Sequence, residues 1–117
     1  MKMLWISRHA LNQEQLADLK RVYGTEPEIT VWDKTVGNVG ELRDAVRKSD
    51  VVGAVLPLDM VAAFLRFYPG KPLIRSVSER VPTGRMISDG MGEVSEYVFR
   101  HVCWEQVLRL DMEVRKL

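Results

Sequence analysis

A short apolar run occupies the middle of the chain, Asp50-Val51-Val52-Gly53-Ala54-Val55-Leu56-Pro57. The apolar residues follow one another without polar interruption, so a strand built from them has two apolar faces. Both faces must then be covered, and helices on either side of a sheet provide that cover. The run therefore predicts the central strand of a small parallel sheet in an α/β protein.

Strand and helix signals alternate on both sides of this run. Two helix starts are indicated by capping-box spacing, at Asn12 with Gln15 and at Asn38 with Glu41. A third helix start is indicated by Pro57, and Gly24 is placed to end the first helix. Strands are predicted at residues 3–7, 29–32, 51–56 and 73–77. The order β-α-β-α-β-α-β over residues 1–78 predicts a parallel sheet in the order 2-1-3-4, with the second strand near an edge.

The pattern changes in the last third of the chain, residues 79–117. No helical stripe appears from residue 78 to residue 95, so we expect an irregular arm there, with a hairpin turn at Asp89-Gly90. Residues 105–117 fit two periods, because a helix face and a strict strand alternation both include Leu110 and Val114. The β-rich residues from Tyr97 onward favour an antiparallel C-terminal strand, with a helix as the alternative.

Composition limits the classes of protein that the chain can belong to. Its 117 residues suit a single domain, and 17 basic against 16 acidic residues leave a net charge of +1, too little to attract duplex nucleic acid. No apolar run approaches the roughly 20 residues that span a bilayer, so we expect no membrane partner. The single Cys103 forms no internal disulfide and has no Cys or His at metal-ligand spacing, so we expect a cytoplasmic protein without a metal.

Polar residues follow the first and fourth predicted strands, at the edge of the sheet where parallel folds bind ligands. Arginine and hydroxyl groups there suit a phosphate or carboxylate. The predicted ligand-binding residues are Arg8, Ser76, Ser78 and Arg80. His9, with Ser7, is the candidate for acid–base catalysis. The alternatives are solvated or salt-bridged roles for Arg8 and Arg80, and a capping or surface role for His9. His101, inside an apolar run, is expected to pack or to hydrogen-bond within the sheet.

Known nucleotide and metal motifs are not found in the sequence. No glycine follows the first strand in Ser7-Arg8-His9-Ala10-Leu11, so the dinucleotide fingerprint is missing, and there is no Walker A loop. Two histidines and one cysteine are too few to make up the usual ligand set of a zinc site. We therefore expect no cofactor.

Two segments, Ser7-Arg8-His9 and Asp50 to Leu58, resemble the small CRISPR-associated Rossmann-like proteins related to the CARF domain. The resemblance covers about the first 78 residues and implies a Rossmann-like three-layer fold. Some of those proteins bind or cleave cyclic oligoadenylates. It further implies a dimer that binds a phosphate-rich ring across the strand ends through Ser7, Arg8 and His9. Such cleavage needs no metal, because the ligand's own ribose hydroxyl serves as the nucleophile.

Two functions from different classes follow from the sequence. The first is binding of a nucleotide-like anionic ligand such as a cyclic oligoadenylate, with slow metal-independent cleavage. The second is a non-enzymatic protein-interaction module that uses the C-terminal segment. We also expect a homodimer, because residues 97–117 hold more apolar surface than a chain of this size covers, although folding back over helices one and two is the alternative. The apolar residues concerned are Trp104, Leu108, Leu110, Met112 and Val114.

Overall fold

The structure, a computed structural model, describes residues 1–117 and contains one five-stranded sheet in the order β2-β1-β3-β4-β5. The strands and helices, in chain order, are β1 (Lys2–Ile6), α1 (Gln13–Tyr23), β2 (Glu28–Trp32), a 3-10 turn (Val39–Leu42), α2 (Arg43–Arg47), β3 (Val51–Ala54), α3 (Leu58–Phe67), β4 (Leu73–Ser88) and β5 (Glu93–Gln106). Strands β1 to β4 pair in parallel and β5 is antiparallel to β4. The predicted order 2-1-3-4 with an antiparallel addition is confirmed, as is a small Rossmann-like α/β fold.

Two apolar clusters lie on opposite faces of the sheet and give the fold three layers. On one face α1 contributes Leu19 against Met3 and Trp5. On the other face the 3-10 turn, α2 and α3 contribute residues such as Leu42 and Phe64. All four residues of β3 are buried, which confirms that this strand lies inside the sheet.

The helix ends follow the sequence signals closely for α1. Asn12 accepts a hydrogen bond from the backbone N–H of Gln15, and the Gln15 side chain accepts one from the Asn12 N–H, so the predicted capping box is present. Gly24 adopts the left-handed conformation at the C-terminus, with φ 76°. None of the three helices has the length and apolar character needed to cross a membrane.

The prediction of an irregular arm at residues 78–95 is wrong. Strand β4 continues to Ser88 and β5 begins at Glu93, so residues 73–106 form a long hairpin that turns at the predicted Asp89-Gly90. Register shifts interrupt it after Val77 and after Pro82. Neither face of the outer part is buried, so the sequence there shows no alternation, although the backbone is paired.

The C-terminal strand is confirmed only as far as Gln106. The backbone N–H of Val107 donates to the Leu73 carbonyl, and residues 107–117 then have neither helical nor strand structure. Strand β4 starts at Leu73, so β5 has no partner beyond this point. The alternation from Leu108 to Val114 therefore does not mark a strand.

Candidate functional site

The chain leaves β1 through a tight turn formed by Ser7, Arg8 and His9. The Ser7 hydroxyl is buried and accepts a hydrogen bond from the His9 backbone N–H at 3.1 Å, while the His9 carbonyl accepts one from Trp5 Nε1 at 2.8 Å. Arg8 is exposed and donates to Thr35 Oγ1 at 2.7 Å. The His9 side chain is exposed and makes no hydrogen bond, so Ser7 and His9 meet through the backbone and not through the ring.

The predicted residues of β4 lie in different surroundings. Ser76 is half-buried beside α1, whereas Ser78 is exposed in the hairpin. The Arg80 guanidinium lies 4.2 Å from the centre of the Tyr97 ring, outside the parallel part of the sheet. The structure therefore separates Arg80 from Arg8, which lies beside Thr35 at the β2 side of the sheet, and does not bring the predicted residues into one cluster.

Ser76 and Ser7 lie at the same level of the sheet but on strands separated by β3. The register pairs Ile6 with Ala54 and Gly53 with Ile74, which places both serines opposite Val55. Strand spacing then puts them about 10 Å apart.

Ser76 belongs to a hydrogen-bond network that joins the sheet to α1. Its hydroxyl lies 2.8 Å from His101 Nδ1, and His101 Nε2 lies 2.8 Å from Asp18 Oδ2. Gln15 Nε2 donates to the same hydroxyl at 3.2 Å. A neutral imidazole with its proton on Nε2 satisfies every contact, because it donates to Asp18 and accepts from Ser76. His101 thus hydrogen-bonds within the sheet, as the sequence indicated.

The network perturbs the titration of Asp18. The hydrogen bond from His101 lowers the pKa of Asp18 below its ordinary value of 3.8, and Arg21 at 2.7 Å lowers it further, while burial acts in the opposite direction. The His101 side chain is only 3% exposed. Arg100 of β5 adds a second link to α1 through Glu14, at 3.0 Å.

Serine, histidine and aspartate are also the residue types of nucleophilic catalysis, which requires a reachable hydroxyl beside donors for an oxyanion. Here the Ser76 hydroxyl already accepts a hydrogen bond from Gln15 Nε2, and the His101 side chain is almost fully buried. We therefore assign the network a structural role, holding α1 against the root of the hairpin.

Gln15 and Asp18 were not identified from the sequence as partners of His101. They are three residues apart on α1 and so share a face. That face also carries the buried Leu19. The position of Gln15 and Asp18 beside the buried Leu19 indicates that they face the sheet. The sequence does not indicate which strand they contact.

A cavity of about 580 Å³ lies at the carboxyl end of β3. Its walls come from the end of β3, the start of α3, the adjoining part of the hairpin and the C-terminal tail. The lining residues are Ala54, Val55, Leu56, Leu58, Val61, Leu73, Ile74, Arg75, Ser76, Glu105, Gln106, Val107, Leu108, Arg109 and Leu110. Most of them are apolar, and the volume lies within the range of about 300–1,000 Å³ typical of small-molecule sites.

Charged and polar groups stand at the rim of this cavity. Arg75 pairs with Glu105 at 2.9 Å, and Arg109 pairs with Asp111. Pro57 at the N-cap of α3 supplies no side-chain acceptor, so the first N–H groups of that helix remain available. The backbone N–H of Val55 donates to the Ile6 carbonyl, which places the end of β1 next to the cavity wall.

No group of three or more His, Cys, Asp or Glu side chains is arranged to hold a metal ion. Of the residues predicted from the sequence, Ser76 alone lines the cavity. A scan against protein-family models, a search of curated proteins and a search of solved structures find no match for this chain.

Proposed function

We propose that this protein binds a nucleotide-like anionic ligand at the carboxyl edge of its sheet. The observation that carries the proposal is the cavity of about 580 Å³ at the end of β3, which opens beside the uncapped start of α3. Ligands of open α/β sheets bind at this edge. The apolar walls suit a planar base, and the helix N-terminus and arginines suit a phosphate.

Charged groups at and near the rim of the cavity favour or oppose an anionic ligand. Arg75 is held by Glu105, so a phosphate has to replace that carboxylate as its partner. Asp59 in the first turn of α3 opposes an anion there. Arg8 makes a single neutral hydrogen bond to Thr35 and keeps its remaining donors free. These three groups predict a ligand with an extended anionic part that reaches from the cavity toward the end of β1.

Cyclic oligoadenylates combine adenine bases with a ring of phosphates, and the resemblance over residues 1–78 supports them as the specific candidates. Slow cleavage without a metal is part of the proposal. In that reaction a ribose 2′-hydroxyl of the ligand attacks the adjacent phosphorus and the 5′-oxygen leaves, giving a 2′,3′-cyclic phosphate. His9 is the candidate proton carrier, because its ring is exposed and unbonded at the end of β1.

Binding is tested by thermal unfolding with AMP, ATP and cyclic oligoadenylates of several ring sizes. A ligand at 100 times its Kd adds about 2.7 kcal/mol to the unfolding free energy, which raises Tm measurably. We expect a cyclic oligoadenylate to raise Tm more than AMP does. No change in Tm with any of these compounds would contradict the proposal.

Two arginine variants locate the anionic part of the ligand. Arg8→Ala and Arg75→Ala are each expected to weaken binding more than tenfold, because a charged hydrogen bond contributes about 1.5–3 kcal/mol. Arg47→Ala is the matched control, since Arg47 is exposed on α2 and pairs only with Asp44. Unchanged affinity in either site variant, with an unchanged Tm, removes that arginine from the site.

Cleavage is tested by incubating the ligand that binds with the protein in the presence of EDTA. We expect linear products with 2′,3′-cyclic phosphate ends, and a loss of product with His9→Ala while binding persists. Intact ligand after long incubation would leave binding in place and reject turnover.

A protein-interaction module is the second candidate, and the exposed outer part of the hairpin favours it. Phe99 there is 73% exposed, which is unusual for a phenylalanine in a paired strand. Such a module predicts no response to any nucleotide in the thermal assay.

A further inference from the structure

A second cavity, of about 480 Å³, opens at the edge of the sheet where β3 and β4 begin, opposite the edge that holds the candidate nucleotide site. Its walls come from α2, from the end of α3 and from the turn that leads into β4. The lining includes three cationic side chains, Arg43, Arg47 and Lys71, and two aromatic ones, Phe67 and Tyr68. We name it the basic cavity.

A tight turn fixes the position of Lys71. The Lys71 backbone N–H donates to the Tyr68 carbonyl at 3.2 Å, with Pro69 and Gly70 between them. Gly70 has φ 87°, the left-handed conformation that glycine adopts without strain in such a turn. The turn directs the Lys71 ammonium to the Ser49 carbonyl, to which it donates. This contact uses one of the N–H groups of the ammonium and leaves the others free.

Arg43 faces the same space from α2. Its guanidinium lies 5.8 Å from the centre of the Phe67 ring, and an added Cβ on Gly40 would lie 3.4 Å from Phe67 Cζ, so the ring stands between Gly40 and Arg43. Burial raises the pKa of Tyr68, and the charge of Arg43 opposes this rise. Arg43 is therefore close to both aromatic residues of the cavity.

The charges of Arg43 and Lys71 have no carboxylate partner, since none of the ion pairs includes either residue. The neighbouring carboxylates are engaged elsewhere: Asp44 pairs with Arg47 at 3.1 Å, Glu41 accepts from the Gly37 N–H at 2.9 Å, and Asp50 accepts from the Lys2 N–H at 2.7 Å. None of the residues that line the basic cavity is acidic. In the first cavity, by contrast, both lining arginines have a carboxylate partner.

The end of α3 opposes an anion in the basic cavity, but only weakly. The free carbonyls at a helix C-terminus correspond to about half a negative charge. Arg43 and Lys71 together bring two full positive charges. The balance therefore remains positive, and it is concentrated in a concave site beside aromatic rings.

We propose that the basic cavity binds a small phosphate monoester whose organic part is aromatic or otherwise apolar. A phosphate monoester carries a charge of about −1.5 to −2 near neutral pH, which two cations match. The planar guanidinium of Arg43 suits two phosphate oxygens, and the Lys71 ammonium suits a third. A cavity of about 480 Å³ is larger than a phosphate needs, and Phe67, Pro69 and Val46 provide an apolar wall for the remainder of the ligand.

Phenyl phosphate is the probe, because it combines the two chemical features of the proposed ligand. Its binding is followed in ¹⁵N-labelled protein through the backbone amides of Gly70 and Lys71, which lie in the turn at the cavity. We expect these amides to shift saturably with a Kd of about 1 mM or tighter. Inorganic phosphate should bind at least about threefold more weakly, since it lacks the contact with the aromatic wall.

Three arginine variants determine which cavity holds the probe. Arg43→Ala should weaken phenyl phosphate binding by about tenfold or more, because the charged hydrogen bonds to the phosphate are lost. Arg66→Ala is the matched control, since Arg66 is exposed near the end of α3 but does not line the basic cavity. Arg75→Ala perturbs only the first cavity. Both should keep the wild-type Kd.

The measurement on the wild type needs no variant, and Arg43 is exposed, so its truncation leaves the core intact. Absence of saturable shifts at Gly70 and Lys71 overturns the inference. Equal weakening by Arg43→Ala and Arg66→Ala overturns it as well, because this indicates attraction to overall charge. So does a loss of binding in Arg75→Ala alone, which places the probe in the first cavity. The proposed nucleotide site stands or falls separately, on the response of nucleotide binding to Arg75→Ala.

Discussion

Gly53 in the central strand is the glycine at which an added Cβ would come closest to a neighbouring side chain. A Cβ added there would lie 2.4 Å from Met3 Cε and 3.0 Å from Trp5 Cε3. Its backbone is not left-handed, so alanine meets no conformational strain at this position. We therefore expect Gly53→Ala to act through side-chain contacts alone.

The two neighbours differ in how easily they move. Met3 Cε is the end of a flexible side chain, but the residue is only 1% exposed and has little space to enter. The Trp5 ring is fixed by its hydrogen bond to His9 and by the edge contact with Trp104. Overpacking of this kind costs about 1–3 kcal/mol, and the lower entropy of the unfolded chain returns about 0.4–1 kcal/mol. The net expectation is a loss of about 1–2 kcal/mol.

Urea unfolding at fixed protein concentration measures this loss. With an m-value of about 1.5 kcal/mol/M, the midpoint should fall by about 1 M. Gly37→Ala is the control, since no atom lies within 4 Å of its added Cβ, and we expect its midpoint to stay or rise slightly. In a Met3→Ala background Gly53→Ala should cost less, because the closest atom is gone. Equal midpoints for Gly53→Ala and the wild type would refute the reasoning from contact distance.

Three further predictions concern single hydrogen-bonded groups. Asn12→Ala removes the N-cap of α1 and should lower the unfolding free energy by about 1 kcal/mol in urea titration, with Asn12→Asp close to wild type. Tyr68→Phe removes the hydroxyl that donates to the Val39 carbonyl and should cost about 1 kcal/mol, measured in the same way. The pKa of Asp18 is lowered by folding, so its contribution is present above pH 3.8 and is lost as pH falls through the lower folded value. Asp18→Asn should therefore be less stable than wild type near neutral pH and should lose part of the acid dependence, and parallel stability curves against pH would contradict this.

The sequence was sufficient to predict the part of the fold in which burial produces a pattern. Residues 51–54 are apolar on both faces because both faces are covered, and this decides their central place in the sheet. The helix α1 was predictable at both ends because caps act locally. The outer part of the hairpin, residues 78–100, has no buried residue, so its strands carry no alternation to recognise. The tail has the alternation but no neighbouring strand, since β4 begins at Leu73.

The candidate site was less predictable because it depends on contacts between distant parts of the chain. The end of β1 was placed correctly before Ser7, but β4 runs past Ser76 to Ser88 and does not end where the sequence predicted. The partners of the side chains were not predicted either. His101 meets Asp18 across 83 positions of sequence, and Arg8 meets Thr35 across 27. Such pairings follow from the twist and spacing of the assembled sheet, which a local pattern does not contain.

The C-terminal tail forms one wall of the cavity, and its attachment has a consequence for how the cavity is occupied. Beyond the bond from Val107 to Leu73, no backbone hydrogen bond holds residues 108–117 to the sheet. Such a segment detaches at a free-energy cost far below that of global unfolding. Leu108 and Leu110 form part of the cavity wall. If a ligand contacts them, its apparent association constant is the intrinsic constant multiplied by the fraction of molecules whose tail is in place. Substitutions in the tail that leave the cavity untouched can therefore tune apparent affinity by changing that fraction alone.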